Sequence, residues 1–167
     1  MKTIYYMATG NYREDGRCET AHAMKNGERW AIRKAANAMV DYIPKNAVLV
    51  PMPSHTGRAT YTLELAKSIA RTTNAQVIDA LQCAPRETLY SLKKQGRKPS
   101  PEGLHFYQVE QIPDGKRVVF VDNVVATGTT AAAAVRTIGK GVVLAYAAAT
   151  NSNQIQGIER VTPPNIN

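Results

Sequence analysis

The sequence lacks the residues that small proteins use for covalent or metal cross-links. It has only two cysteines, Cys18 and Cys83, and their spacing matches neither a disulfide framework nor a zinc site. We therefore expect a surface thiol and a core thiol. No apolar stretch approaches the ~20 residues of a membrane span, and the amino terminus has no apolar signal region. These absences argue against a disulfide-rich secreted fold and a membrane protein, and they favour a reducing, cytoplasmic location.

Acidic residues are also scarce. The chain has 13 Asp and Glu against 21 Lys and Arg, which gives a formal net charge of +8. This excess predicts a polyanionic partner or a solvated cationic surface. A ligand that carries a phosphate and a pyrophosphate would be sufficient. No zinc-finger or RNA-recognition motif occurs, but the sequence leaves nucleic acid open as a partner and does not decide whether the chain forms a homodimer.

The residues that are present are enough for one well-packed domain. A chain of 167 residues buries roughly two thirds of its unfolded surface, and we expect residues 1–167 to form a single domain. Its 44% apolar and 20% charged residues are ordinary for a globular protein. Apolar runs and amphipathic segments alternate along the chain. This alternation predicts an α/β fold with a mostly parallel central sheet flanked by helices.

The most informative segment is residues 118–130, Val-Val-Phe-Val-Asp-Asn-Val-Val-Ala-Thr-Gly-Thr-Thr. Its first four residues predict a strand buried on both faces, with Asp122 and Asn123 at the carboxyl end, where parallel sheets bind ligands. The small residues that follow lead into alanine-rich helical sequence, and a tight turn at a helix N-terminus can bind phosphate. The segment has neither a Walker A nor a GxGxxG sequence. An ordinary turn after a buried strand is the alternative, but it leaves the Asp-Asn pair unexplained.

This pattern resembles the phosphoribosyl pyrophosphate (PRPP) motif of type I phosphoribosyltransferases. The resemblance implies that Asp122 and Asn123 bind the ribose hydroxyls, and that Mg²⁺ is the cofactor with Asp122 as a metal ligand. It also implies that the 5-phosphate is bound by Ala126, Thr127, Gly128, Thr129 and Thr130. The family usually has an acid at the position of Asn123. An amide still hydrogen-bonds a hydroxyl, but one negative charge is missing.

A second loop follows the predicted strand 47–50 and precedes a helix predicted at 60–71. Its sequence is Pro51-Met52-Pro53-Ser54-His55-Thr56-Gly57-Arg58. The prolines stiffen the loop, and its hydroxyls and guanidinium suit an anion; a rigid connection is the alternative. The Val-Pro-x-Pro order resembles the pyrophosphate loop of ComF-like phosphoribosyltransferases, which implies that Ser54, His55 and Arg58 bind pyrophosphate. The zinc-binding cysteines usual at the amino terminus of that branch are absent.

A long basic segment, residues 85–101, has five lysines and arginines, one glutamate and no apolar periodicity. A loop of this length is usually functional or disordered, and a solvated charged segment is the alternative. In type I phosphoribosyltransferases a basic loop precedes the PRPP strand and closes over the pyrophosphate. Residues 92–97 with Phe106 downstream are similar to this loop in ComF-like proteins. The resemblance implies catalytic cations here, and we select Lys94 and Arg97.

The remaining segments predict the frame around these loops. They are an edge strand at residues 4–7, an amphipathic helix at 27–43 with Trp30 on its apolar stripe, a strand at 76–80, a helix at 129–138 and a strand at 142–149. The resemblance implies a small hood for the acceptor base, built from residues 1–25 and from the tail after Thr150. Neither segment carries a motif that identifies the base.

The resemblance as a whole implies an enzyme that transfers a 5-phosphoribosyl group between PRPP and a nitrogenous base, releases pyrophosphate and uses Mg²⁺. Two other classes stay open. One is a PRPP- or nucleotide-binding regulatory protein without catalysis, which the missing acid at Asn123 would favour. The other is a nucleic-acid-associated protein, which the net positive charge would favour.

Overall fold

The computed structural model of the chain describes residues 2–149 and 154–163. Within these residues the strands are β1 (Ile4–Ala8), β2 (Ala47–Pro51), β3 (Gln76–Val77), β4 (Leu81–Cys83), β5 (Phe106–Gln108), β6 (Arg117–Val125), β7 (Val142–Ala148) and β8 (Ile158–Arg160). The helices are α1 (Arg17–Lys25), α2 (Arg29–Met39), α3 (Tyr61–Ala70), α4 (Leu89–Lys94) and α5 (Thr129–Ile138). Short 3-10 turns lie at Val40–Tyr42 and Glu102–Leu104.

Six strands form one sheet in the order β3-β2-β6-β7-β1-β8, and neighbouring strands in it are parallel. Every residue of β7 is buried, as expected for a parallel strand that is covered on both faces. The predicted α/β fold with a parallel central sheet is confirmed. β4 and β5 form a separate antiparallel pair.

Helices cover both faces of the six-stranded sheet. α1, α2 and α3 pack on one face, where Met24, Met39 and Leu65 are fully buried. Burial of each such side chain contributes roughly 1.5–3 kcal/mol. α5 packs on the other face through Ala131 and Ala134, next to core residues of the β4–β5 pair. Because these side chains are small, the backbone of α5 lies close to the strands.

The boundary of β6 differs from the expected one. The sequence predicts a strand that ends at Val121, but β6 continues to Val125 because β7 pairs with it as far as Ala148. Asp122 and Asn123 are therefore strand residues, not residues that follow a strand.

Two smaller predictions are wrong, and one predicted strand is present but shorter. β1 is an interior strand, between β7 and β8, not an edge strand. β3 is shorter than predicted, because after the Ile78 N–H donates to the Leu49 carbonyl oxygen the chain turns toward β4. Trp30 is 52% exposed, since the buried stripe of α2 consists of alanines, Ile32 and Met39.

The chain ends contribute to the main sheet within the described residues and do not form a separate hood there. β1 and β8 pair with each other, and α1 packs on the same face as α2. Residues 150–153 and 164–167, which the expected hood also included, lie outside the described residues. Among the described helices, none has the length and apolar character needed to span a bilayer.

Candidate functional site

The two predicted loops follow neighbouring strands, β2 and β6, at the carboxyl edge of the sheet. Pro51 at the end of β2 pairs with Val121 of β6, and the Met52 N–H donates to the Val121 carbonyl oxygen at 3.0 Å. Beyond this point β6 pairs only with β7 among the described strands. The sheet therefore opens where β2 turns away, which is where open α/β sheets bind ligands.

Asp122 and Asn123 lie on β6 at this opening, and only 8% and 7% of their surfaces are exposed. Asp122 Oδ1 accepts a hydrogen bond from the Asn123 N–H at 2.8 Å. Asn123 Oδ1 accepts from the Val124 N–H at 2.9 Å and from the Tyr61 hydroxyl at 3.2 Å. The two predicted ribose-binding residues are thus adjacent to a third polar side chain, from the first residue of α3.

Burial dominates the protonation of these groups. It raises the pKa of Asp122 to about 7, although the Asn123 N–H and the charge of Lys25 act in the opposite direction. Burial, and then the charge of Asp122, raises the pKa of Tyr61. Near neutral pH the Tyr61 hydroxyl is therefore protonated and can donate a hydrogen bond, whereas the Asp122 carboxyl titrates in this pH range.

We expect this carboxyl to make the stability of the fold depend on pH. Because the folded chain holds the Asp122 proton more tightly than the unfolded chain, its contribution to stability is full below pH ~4 and is lost as pH rises toward 7. The loss is up to ~1.4 kcal/mol per pH unit. Urea unfolding of wild type and Asp122→Asn at pH 5, 6 and 7 checks this, since the variant has no carboxyl to titrate there. If the free energy of unfolding changed equally with pH in the two proteins, the raised pKa of Asp122 would be contradicted.

The segment after β6 forms the predicted small-residue loop. Residues 126–128 are irregular, and α5 begins at Thr129. Gly128 has a φ of 89°, where other residues are strained. The Thr127 and Thr129 hydroxyl oxygens are 2.8 Å apart. The five predicted phosphate-binding positions, 126–130, therefore lie on this loop and the first turn of α5, whose N–H groups lack partners within the helix.

The segment that contains β8 packs against this loop. The Ile155 N–H donates to the Thr127 carbonyl oxygen at 3.0 Å. Ile158 lies so close to Gly128 that an added Cβ would be 2.5 Å from its Cδ1 atom. The φ angle favours glycine at this position, and an added Cβ would also require the Ile158 side chain to shift.

The segment after β2 forms a tight turn. The Ser54 hydroxyl donates to the Arg58 carbonyl oxygen at 3.0 Å and lies 2.7 Å from Thr56 Oγ1. The Gly57 N–H donates to the Ser54 carbonyl oxygen at 3.0 Å. The Ser54 hydroxyl is thus used inside the turn, while the side chain of Arg58 is exposed.

Residues in and just after β4 form backbone hydrogen bonds to this turn. The Cys83 N–H donates to the Gly57 carbonyl oxygen at 2.9 Å, and the Arg86 N–H donates to the His55 carbonyl oxygen at 2.8 Å. Cys83 is buried, as predicted for one of the two thiols. The turn therefore has a fixed backbone, and the His55 side chain extends from it into solvent.

The predicted cations Lys94 and Arg97 are not joined to the ribose-binding pair. α4 occupies part of the basic segment, and Lys94 lies 5.2 Å above the ring of Tyr90. Arg97 lines a cavity of about 350 Å³ together with Arg86. Among the described residues, no hydrogen bond or ion pair connects Lys94 or Arg97 to residues 122–130. Their role in closure stays a prediction.

Three residues near the site were not predicted from the sequence: Tyr61, Lys25 and Arg86. Tyr61 could have been found, because it follows the Pro-rich turn and begins a helix at the same edge of the sheet. Lys25 lies on α1, which the sequence patterns did not predict. Arg86 follows β4 at the start of the predicted basic segment, and its backbone N–H bonds to the His55 carbonyl oxygen.

A larger cavity, about 650 Å³, lies at the opposite edge of the sheet. Its lining includes Lys116, Val119 and Gly141, near the starts of β6 and β7. It contains none of the predicted ligand-binding residues, and it lies at the amino ends of the strands. We therefore place the candidate site at the carboxyl edge of the sheet, where the predicted ligand-binding loops lie.

A metal ion at the site would have few protein ligands. No group of three His, Cys, Asp or Glu side chains that could hold an ion occurs in the part of the chain that is described. Mg²⁺ usually keeps several waters and binds through one or two carboxylates together with substrate phosphates. The single carboxylate of Asp122 fits an ion that is carried mainly by a phosphorylated substrate.

No protein-family model matches the chain, and no curated protein matches it in sequence. A solved structure of an allosteric regulatory enzyme of purine biosynthesis is 20% identical over 69% of this chain and 25% of its own, with a TM-score of 0.45. A hypoxanthine phosphoribosyltransferase from Staphylococcus aureus is 14% identical over 88% of this chain and 74% of its own, with a TM-score of 0.40. This chain thus spans about a quarter of the first of these proteins. A relation to the ComF-like branch stays a prediction.

Proposed function

We propose that this protein transfers a 5-phosphoribosyl group between PRPP and a nitrogenous base, with release of pyrophosphate. One observation supports the proposal most. The carboxyl edge of the sheet brings together the Asp122–Asn123 pair, the loop before α5 and the turn after β2. A ligand in contact with all three would carry a sugar diol, a phosphate and a second anionic group. PRPP has these three parts.

In the proposed reaction, a nitrogen atom of the base bonds to C1 of the ribose while the bond from C1 to pyrophosphate breaks, and the electron pair leaves with the pyrophosphate. Asp122 and Asn123 would hold the ribose, residues 126–130 the 5-phosphate, and the turn at 54–58 the pyrophosphate. The work of the chain is positioning and stabilisation of the leaving charge. Mg²⁺, when bound, would offset charge on the pyrophosphate, with Asp122 as its protein ligand.

Closure of the basic segment would bring Lys94 and Arg97 to the leaving group and exclude water. On the acceptor side, the segment between β1 and α1 contributes polar groups at the end of β7: the Tyr12 N–H donates to the Ala148 carbonyl oxygen, and the Tyr12 hydroxyl lies 3.1 Å from His22 Nε2. The Tyr12 N–H is thus already bonded, and the side chains of Tyr12 and His22 are what this segment would offer to a nitrogenous base. The two free cysteines are consistent with this reaction in a cytoplasm.

We expect PRPP together with Mg²⁺ to raise the unfolding temperature of the purified protein. A ligand present at 100 times its dissociation constant adds about 2.7 kcal/mol to stability. Thermal unfolding with PRPP, with Mg²⁺ and with both measures this, and inorganic sulfate at equal ionic strength is the control for a general anion effect. No shift at millimolar PRPP, in protein that is otherwise folded, would contradict the proposal.

A non-catalytic PRPP-binding protein is the second candidate. It is favoured by Asn123, which carries no charge, and by the separation of Lys94 and Arg97 from the site. Such a protein would show the same thermal shift but would release no pyrophosphate with any base. A nucleic-acid-binding protein would instead show no shift, and its affinity for DNA or RNA would fall steeply with salt and be indifferent to Asp122.

A further inference from the structure

The side-chain amide of Asn123 has a fixed orientation. Its Oδ1 accepts hydrogen bonds from the Val124 N–H at 2.9 Å and from the Tyr61 hydroxyl at 3.2 Å. A backbone N–H only donates, so the atom that faces it must be the amide oxygen. The reverse orientation would place the NH₂ group against the Val124 N–H at a site with 7% exposure and would leave that N–H unsatisfied. With the oxygen on this side, the Tyr61 hydroxyl acts as the second donor to it.

The fixed orientation determines what Asn123 offers to a ligand. Among the described residues, its Nδ2 has no acceptor, so the open side of the amide presents only hydrogen-bond donors. The neighbouring carboxyl is different. Asp122 Oδ1 accepts from the Asn123 N–H, and Asp122 Oδ2 has no partner in the described part of the chain. When Asp122 is ionised, the two adjacent side chains therefore present one donor group and one acceptor atom.

We propose that Tyr61 is a positioning residue that holds the side-chain amide of Asn123. In this orientation Asn123 Nδ2 donates a hydrogen bond to the oxygen of one ribose hydroxyl, and the other ribose hydroxyl donates to Asp122 Oδ2. This inference rests on the proposed function. It also predicts that Asn123 binds the sugar differently from a carboxylate at the same position. A carboxylate would keep the bonds to Val124 and Tyr61, but its second oxygen would present an acceptor to the sugar.

Analogues of ribose 5-phosphate test which groups the site binds. A fluorine in place of a hydroxyl retains a weak acceptor and no donor, whereas a deoxy position has neither. We expect calorimetric titration of the wild type to show, at one of the positions 2 and 3, that the fluoro analogue binds about two- to fivefold more tightly than the deoxy analogue. Asn123→Asp should abolish this preference, because it replaces the donor by an acceptor.

Tyr61→Phe tests the positioning role. The variant removes one hydrogen bond to Asn123 Oδ1, and we expect ribose 5-phosphate to bind about two- to tenfold more weakly, with a smaller preference for the fluoro analogue. Tyr107→Phe is the matched control, because the Tyr107 hydroxyl also donates a 3.2 Å hydrogen bond to a side-chain oxygen, that of Gln82, in the β4–β5 pair. It should bind all analogues as the wild type does.

The outcomes separate this inference from the proposed function. If the wild type binds neither ribose 5-phosphate nor PRPP, the proposed function is wrong and the inference with it. If the wild type binds both but does not distinguish fluoro from deoxy at either position, or Tyr61→Phe binds every analogue as the wild type does, the inference alone is wrong. Should Tyr61→Phe fail to fold by circular dichroism, the Asn123→Asp comparison decides.

Discussion

Replacement of Asp122 by asparagine is expected to lower kcat/KM for PRPP at least tenfold. The asparagine keeps an oxygen for the Asn123 N–H, so the local hydrogen bond of 2.8 Å survives. Oδ2, however, becomes an NH₂ group, so the proposed acceptor for a ribose hydroxyl and the proposed ligand for Mg²⁺ would be lost. A hydrogen bond to a charged group contributes ~1.5–3 kcal/mol, which corresponds to roughly 10- to 100-fold in rate or affinity.

The kinetics are measured as pyrophosphate release with a panel of bases, or as PRPP affinity if no base is turned over. Asp114→Asn is the matched control, because Asp114 is exposed in the turn before β6 and loses the same charge. Unchanged kinetics or affinity in Asp122→Asn would remove the site assignment. A variant that is more stable than wild type at pH 7 and yet inactive would show that this buried carboxyl is retained at the expense of stability.

Replacement of Gly57 by alanine is expected to reduce the free energy of unfolding by ~3 kcal/mol or more. Gly57 has a φ of 102°, which an L side chain rarely adopts. An added Cβ would also overlap the Cys83 carbonyl oxygen, and this oxygen belongs to the backbone and cannot move without displacing β4. Because the Cys83 N–H bonds to the Gly57 carbonyl oxygen, the turn after β2 should lose its shape as well.

Chemical denaturation of the variant measures this loss, and PRPP binding reports the state of the turn. Gly115→Ala is the control for backbone strain alone: its φ is 76°, and nothing lies within 4 Å of an added Cβ. The difference between the two variants gives the cost of the overlap with β4. Equal losses in both would mean that the contact between the turn and β4 adds nothing.

Sequence patterns were sufficient for the central sheet and for the positions of the two loops after β2 and β6, because these elements have strong local signals. β2, β6 and β7 are apolar runs, and α3 and α5 match the predicted helices closely. Gly128 and the hydroxyls around it indicated a phosphate loop, and the structure places them between β6 and α5. For such segments, burial and turn chemistry are encoded within a few neighbouring residues.

The elements that sequence patterns did not predict depend on distant partners. β8 is a three-residue strand with one partly buried apolar residue, and it is defined by pairing with β1 across almost the whole chain. β4 and β5 are equally short and pair across the basic segment. Tyr61 joins the site through Asn123, 62 positions away. Local periodicity carries no information about such pairings, since their register is set by the completed sheet.

Ile155 and Ile158 contact the loop at Thr127 and Gly128. This contact couples the conformation of the loop to the pairing of β8 with β1. Such coupling is reciprocal: a ligand that favours this loop conformation must, to the same extent, favour the docked state of β8 on β1. Conversely, a partner or a modification that draws β8 away from β1 would weaken ligand affinity without contacting the ligand. The pairing of β8 with β1, on the side of the sheet away from β2, is therefore expected to influence ligand binding at the loop before α5.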